Sequence, residues 1–235
     1  MFVLESGRSI KIDEPVHYKK GIATTLIFLA NYDKVAEQLK IPGYEPVKPF
    51  PGKAIVGFCA LEYLEIDKLN PYNELDILTL IKKKGEKWDK NSSTLHTYIF
   101  HLPITDKDAF ELGKVYGFPK LLANISFSNE ENKRKCRCEI DNQMVIETEI
   151  ELPKHQEKNS SIQIIYNMKD GKLLTSKLEI DCKAGRNELM KAKGAFKLGT
   201  HPISDFIRSL QLSKHPLLVQ YSTEMQISLY PPQDL

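Results

Sequence analysis

No stretch of this sequence is apolar for long enough to cross a bilayer. The longest, around Ala23 to Ala30, runs for about eight residues and includes two threonines, against the roughly twenty that a spanning helix needs. Net charge is nearly absent. Lysine and arginine number 33 and aspartate and glutamate 31, leaving +2. Bulk charge therefore does not make this chain a nucleic-acid or membrane-surface binder. Glu5 and Arg8 stand where a secretion signal carries an apolar run, which predicts a soluble cytoplasmic protein. Cysteine is scarce as well. Cys59, Cys136, Cys138 and Cys182 are too few for a disulfide scaffold in 235 residues, so free thiols are expected. Cys136 and Cys138 would share one face of a strand, but no second Cys/His pair completes a four-ligand zinc site. They read as two small apolar residues facing one way. The six histidines are scattered, with none paired at i, i+4 on a helix. No G-x-S-x-G, phosphate-binding loop or dinucleotide fingerprint occurs. Neither a metal nor a cofactor is expected.

What is present is ordinary globular composition, 41% hydrophobic and 27% charged, enough for one domain over residues 1–235 with a real core. Strand patterns dominate. Thr24 to Leu29 is rich in β-branched and aromatic residues. Ala54 to Leu64 and Leu75 to Ile81 are strongly apolar. Met144 to Leu152 and Val219 to Leu229 alternate with period two. Ile162 to Met168 and Leu173 to Cys182 flank Asp170-Gly171, a strong hairpin signal because a type I′ turn needs positive φ twice. Three short helices are predicted. One covers Asp33 to Leu39, capped by Asp33. A second covers Thr105 to Tyr116, capped by Thr105 and ended by Gly117 and Pro119. A third covers Pro202 to Leu210. The sum is α+β and β-rich, an antiparallel sheet curled into a barrel with a few short helices. The basic run Lys133, Arg134, Lys135 and Arg137 reads as a solvated hairpin edge rather than a nucleic-acid patch.

The most informative segment is Gly113-Lys-Val-Tyr-Gly-Phe-Pro-Lys-Leu-Leu-Ala123. A helix ends at Gly117, Pro119 stiffens the chain, and Lys120 then falls among Phe118, Leu121 and Leu122. Its ordinary reading is a lysine that snorkels to the surface. The sharper one is a desolvated amine nucleophile walled by those three residues, since an unpaired buried ammonium is costly.

This segment closely resembles the active-lysine segment of the acetoacetate decarboxylase family, G-(R/K), a short spacer, then G-(Y/F)-P-K. Pro71-Tyr-Asn-Glu74 is similar to that family's acidic stretch before a strand. The helix-like Asp33 to Leu39 leading to Pro42 is similar to another landmark. The resemblance implies a cone-like antiparallel barrel, a homo-oligomer and a small-molecule carbonyl substrate. It implies Lys120 as the Schiff-base lysine and Glu74 as an acid/base or positioning carboxylate. Cys59, Tyr72, Phe118 and Leu121 are the implied substrate-binding residues. The implied function is a Schiff-base lyase, a decarboxylase or an aldolase/dehydratase-type variant. The rival is a non-catalytic binding protein for an apolar carbonyl or lipid-like metabolite in the same barrel. Three family positions differ. Leu121 stands where a second lysine is frequent, Cys59 where a second glutamate falls, and Ala23 where a substrate-binding arginine falls. Lys19 and Lys20 are the nearby cations that could replace that arginine. Without one, the expected substrate is a less anionic carbonyl compound than acetoacetate.

Overall fold

A computed structural model of the chain describes residues 1–4, 6–11, 13–187 and 192–235. Twelve strands carry the architecture. They are β1 (Val16–Asn31), β2 (Lys53–Ile66), β3 (Tyr72–Lys83), β4 (Thr94–Ile104), β5 (Lys120–Leu122), β6 (Asn124–Glu130), β7 (Lys133–Ile140), β8 (Gln143–Glu151), β9 (Glu157–Lys169), β10 (Lys172–Arg186), β11 (Gly194–Leu198) and β12 (Leu218–Leu229). Helix α1 (Tyr32–Gln38) follows β1, α2 (Lys107–Tyr116) joins β4 to β5, and α3 (Pro202–Ser209) precedes β12.

Seven strands close a barrel in the order β3-β2-β1-β12-β10-β9-β4, with β4 pairing back onto β3. The antiparallel expectation holds except at β4. This strand runs parallel to β9 through Thr94 to Tyr98 and parallel to β5 through Leu102 to Ile104. Parallel neighbours need a crossover of a dozen or so residues, and the segment carrying α2 supplies it. The sequence pattern gave no hint of β4, because two histidines and Pro103 interrupt its apolar run.

From Gly21 onward in β1 and from Ala54 to Tyr63 in β2 no residue is exposed on either face, which explains their long apolar character. Leu26, Phe28 and Ala30 of β1, with Val56, Phe58 and Ala60 of β2, leave the barrel and pack under a second sheet, ordered β11-β8-β7-β6. Phe196 of β11 meets the Phe28 ring edge-on at 5.1 Å and the Phe58 ring at 5.5 Å. The opposite faces of β1 and β2 line the barrel interior. β12 changes sides along its length. A bulge between Ser222 and Met225, with Glu224 at φ 49, turns the single alternation expected there into two.

Local signals hold with shifts of a residue or two. Asp170 and Gly171 both have positive φ, and Lys169 pairs with Lys172 across the turn. The caps differ from expectation. Asn31, not Asp33, caps α1 by accepting from the Lys34 N–H at 3.1 Å. Asp106, not Thr105, caps α2 by accepting from the Ala109 N–H at 2.8 Å. The Thr105 hydroxyl is engaged by the Asn73 N–H at 3.0 Å and so ties α2 to β3. Cys136 and Cys138 are buried free thiols on one face of β7.

The basic run is not a sheet edge. β7 lies between β6 and β8, and its charges divide by parity. Lys133, Lys135 and Arg137 face outward onto Glu149, Glu130 and Glu147. Arg134 turns inward, pairs with Glu62 of β2, donates to Asn129 at 3.0 Å and sits 4.4 Å from the Phe127 ring. Removing Arg134 forfeits charge-assisted hydrogen bonds and its buried stacking, at a cost of about 2 kcal/mol. Arg134→Ala should lower unfolding free energy by about that much in urea titration, whereas exposed Lys133→Ala should cost less than about 0.5 kcal/mol.

Candidate active site

Lys120 reaches its position through the crossover. α2 ends in a Schellman motif. Gly117 adopts φ 69 and its N–H bonds the Lys114 carbonyl, while the Phe118 N–H bonds the Gly113 carbonyl at 3.0 Å. Pro119 prevents another helical turn, and its carbonyl accepts from the Leu102 N–H at 3.1 Å. The chain therefore enters β5 at Lys120, in register with Leu102 of β4. β5 continues along the edge of β4 that β9 has left, so Lys120 sits in the barrel wall. Gly113 makes room for its side chain. A Cβ there would lie 2.4 Å from the Lys120 Cδ, far inside contact distance.

The Lys120 amine is 3.4 Å from Glu74 Oε2, with the two side chains 7% and 9% exposed. Glu74 lies within β3, because that strand begins at Tyr72 rather than at Leu75 as the apolar pattern predicted. Tyr63 donates to Glu74 Oε1 at 3.3 Å and Tyr72 to Oε2 at 3.4 Å. The Tyr18 and Tyr72 hydroxyls are 3.1 Å apart. Burial, reinforced by the charge of Glu74, pushes the Tyr63 and Tyr72 hydroxyls well above their ordinary pKa, so both remain donors. The ring centres of Tyr72 and Phe118 lie 5.4 and 5.9 Å from the ammonium, within cation–π range.

Of the other expected residues, Cys59 lies one layer away, directly across from Asp76, and accepts from the Thr25 hydroxyl at 3.3 Å. Burial holds its thiol well above the ordinary value, so it is no thiolate. Leu121 does not join the group. It follows Lys120 on the strand, points to the other face and is 38% exposed, as Leu122 is at 41%. The wall is instead Phe118 and Tyr72, with Tyr116 stacked on Phe118 at 5.3 Å. Ala23 faces the interior at 5% exposure. Neither neighbouring cation replaces an arginine there. Lys20 is exposed, and Lys19 is 54% exposed and lies 3.7 Å from Glu65.

Asp76 is the acidic residue that sequence reading passed over. It lies two residues beyond Glu74 on β3 and so shares its face. Beginning the strand at Tyr72 would have revealed it. Burial first, and Glu74 second, push its carboxyl pKa well above the ordinary value, and the Lys120 charge only partly opposes them. The cluster thus sets Lys120 against Glu74, with a second carboxyl group of raised pKa beside them. Such a set can pass a proton between amine and carboxylate, which is what an amine needs in order to attack a carbonyl carbon. Among the described residues, no three metal-ligating side chains converge. A surface cleft of about 350 Å³ bordered by Tyr44, Trp88, His96 and Tyr166 shares no residue with this cluster.

The family model for acetoacetate decarboxylase (ADC) matches residues 14–223. Solved structures share the fold at low identity. The acetoacetate decarboxylase of Legionella pneumophila is 14% identical, with 100% of this chain and 93% of that one covered and a TM-score of 0.76. The enduracididine biosynthesis enzyme MppR is 12% identical in its pyruvate complex, over 98% and 94% of the two chains, with a TM-score of 0.72. An acetoacetate decarboxylase-like enzyme of Sphingomonas wittichii RW1 is 10% identical over 100% and 98%, with a TM-score of 0.63. No curated protein sequence matches the chain.

Two outcomes follow from this geometry. The Asp76 carboxyl pKa is raised in the fold above the ordinary aspartate value near 3.9 that it has in the unfolded chain. Folding then takes up a proton, and stability falls as pH rises through the window between the two values. Asp76→Asn should remove that slope. Its melting temperature should exceed the parent's at pH 7, the gap closing toward pH 4. Gly113→Ala should expel the Lys120 stem. Lys120 should then be labelled by a bulky amine-acylating reagent that should spare it in the parent, with peptide mass spectrometry as the readout.

Proposed function

Because this chain belongs to the acetoacetate decarboxylase family, we propose that it is a Schiff-base-forming lyase whose Lys120 amine attacks an uncharged or weakly anionic carbonyl compound. The observation that carries the reading is the buried 3.4 Å contact of Lys120 with Glu74. An amine in this setting has an acceptor for its proton at hand. The ammonium gives that proton to Glu74, and the neutral amine adds to the carbonyl carbon. The resulting carbinolamine loses its hydroxyl as water, after protonation, to leave a protonated imine. The imine draws the electron pair of an adjacent bond toward nitrogen, so cleavage of a C–C bond or loss of an α-proton becomes accessible. Glu74 gives up its proton as the hydroxyl leaves and is then a carboxylate that can take an α-proton and return it. After C–C cleavage the enamine carbon takes its proton from the water released in imine formation, through Glu74. Tyr63 and Tyr72 keep its carboxylate oriented for that work.

The substrate preference rests on charge. Lys120 is the cation at the cluster and Glu74 already offsets it, while position 23 is alanine and Lys19 and Lys20 face solvent. A substrate carboxylate would enter without a counter-ion, which is costly in a water-poor interior.

Incubation with a small β-diketone and sodium borohydride should add mass to the peptide carrying Lys120. Labelling spread evenly over surface lysines, or tight carbonyl binding that survives Lys120→Ala with no trapping in the parent, would favour the non-catalytic binder. Carbon dioxide release from acetoacetate should be slow. A turnover of several per second, an ordinary enzyme speed, that disappears in Lys120→Ala would refute the uncharged-substrate reading.

A further inference from the structure

One layer deeper in the barrel than Lys120 and Glu74, three polar side chains share a face. Thr25, Cys59 and Asp76 are directly paired across β1, β2 and β3. Ala23, Leu61 and Glu74 form the next paired row toward the lysine and face the same interior. Thr25 spends its hydroxyl hydrogen on the Cys59 sulfur. Asp76 Oδ1 is buried and meets no hydrogen-bond partner among the described residues. A buried carboxyl oxygen without a partner is rare in folded proteins and asks for an explanation. Cys59 and Asp76 are half-buried, as is Thr25 beside them. A hydrogen bond to Glu74 contributes to the raised carboxyl pKa of Asp76, so its proton is directed to Glu74 and Oδ1 is left as an acceptor for a hydroxyl hydrogen.

We propose that Thr25, Cys59 and Asp76 form a specificity site that takes an uncharged hydroxyl of the substrate, hydrogen-bonded to the Asp76 carboxyl, about three bonds from the carbonyl held at Lys120. The reach agrees. The row holding Asp76 is one two-residue step along the strands from the row holding Glu74, about 6.8 Å between their Cα atoms. Three single bonds span roughly 4 Å, and a hydrogen bond adds about 2.8 Å. A methyl or methylene at that point would leave the Asp76 oxygen as unsatisfied as before. A carboxylate would bring a second anion next to Glu74. Sites built to hydrogen-bond a substrate hydroxyl reject analogues that lack it far more strongly than apolar pockets reject a size change. This inference rests on the Schiff-base reading for the position of the carbonyl.

Three four-carbon methyl ketones isolate the group in question: 4-hydroxybutan-2-one, butan-2-one and acetoacetate. Borohydride trapping at Lys120, followed by peptide mass spectrometry, gives the ratio of their labelling rates within each protein. The parent should favour the hydroxyketone over both others by on the order of ten-fold, and in Asp76→Leu the ratio to butan-2-one should fall to near one. Equal labelling by hydroxyketone and butan-2-one in the parent would overturn the proposal without any variant. So would a preference that survives in a folded Asp76→Leu. A second measurement separates this inference from the one it rests on. In Lys120→Ala, which forms no imine, millimolar 4-hydroxybutan-2-one should raise the melting temperature and butan-2-one should not. If no ketone labels the parent, the Schiff-base reading fails and this thermal shift alone decides the specificity site. If labelling occurs but neither readout depends on the hydroxyl, the specificity site fails alone.

Discussion

A lysine ammonium and a glutamate carboxylate held 3.4 Å apart out of water are the constraint around which this structure is organised. Desolvating two charges costs several kcal/mol per ion unless the pair is close and its remaining hydrogen-bonding capacity is met. The neighbours meet those terms. Two tyrosine hydroxyls satisfy the carboxylate, two aromatic rings face the ammonium, and the lysine stem fills a groove that only a glycine at position 113 leaves open. Removing any of them shifts the balance at the amine without touching it.

The barrel wall makes that arrangement rigid by being buried on both sides. Phe28 and Phe58 leave the barrel to meet Phe196 of the second sheet, while the alternate residues of the same strands enter the interior. The apolar burial needed to offset chain entropy is supplied largely on the outer face. The inner face is thereby released to carry Glu74, Asp76, Thr25 and a cluster of tyrosines. Arg134 fastens the two sheets through Glu62, so a charge that would suit a surface serves as a strut.

Identities of 10–14% with TM-scores of 0.63–0.76 show how little side-chain identity this fold requires. The pattern of inward and outward residues and the parallel β4–α2–β5 crossover maintain it. Within that frame the interior charge differs from what resemblance alone implies. Position 59 carries a thiol, position 23 a methyl group, and an acid stands at position 76, directly opposite Cys59.

The amino-acid sequence by itself determined the β-rich class, the Asp170-Gly171 hairpin, the stop of α2 at Gly117 and Pro119, and the singling out of Lys120 and Glu74. Each is governed by local rules: side-chain parity, the φ of glycine and proline, or a short motif. Tertiary structure decided the rest. The parallel placement of β4 depends on a crossover whose destination no local pattern specifies. The cap of α2 passed from Thr105 to Asp106 because Asn73, distant in sequence, claimed the threonine hydroxyl. Leu121 faces outward because strand parity gives its inward neighbour, Lys120, the interior. Glu74 joins Asp76 on one strand face because β3 begins three residues earlier than its apolar run. The aspartate's raised pKa, unlike its position, comes from enclosure and from a second carboxylate nearby, and only the closed barrel provides both.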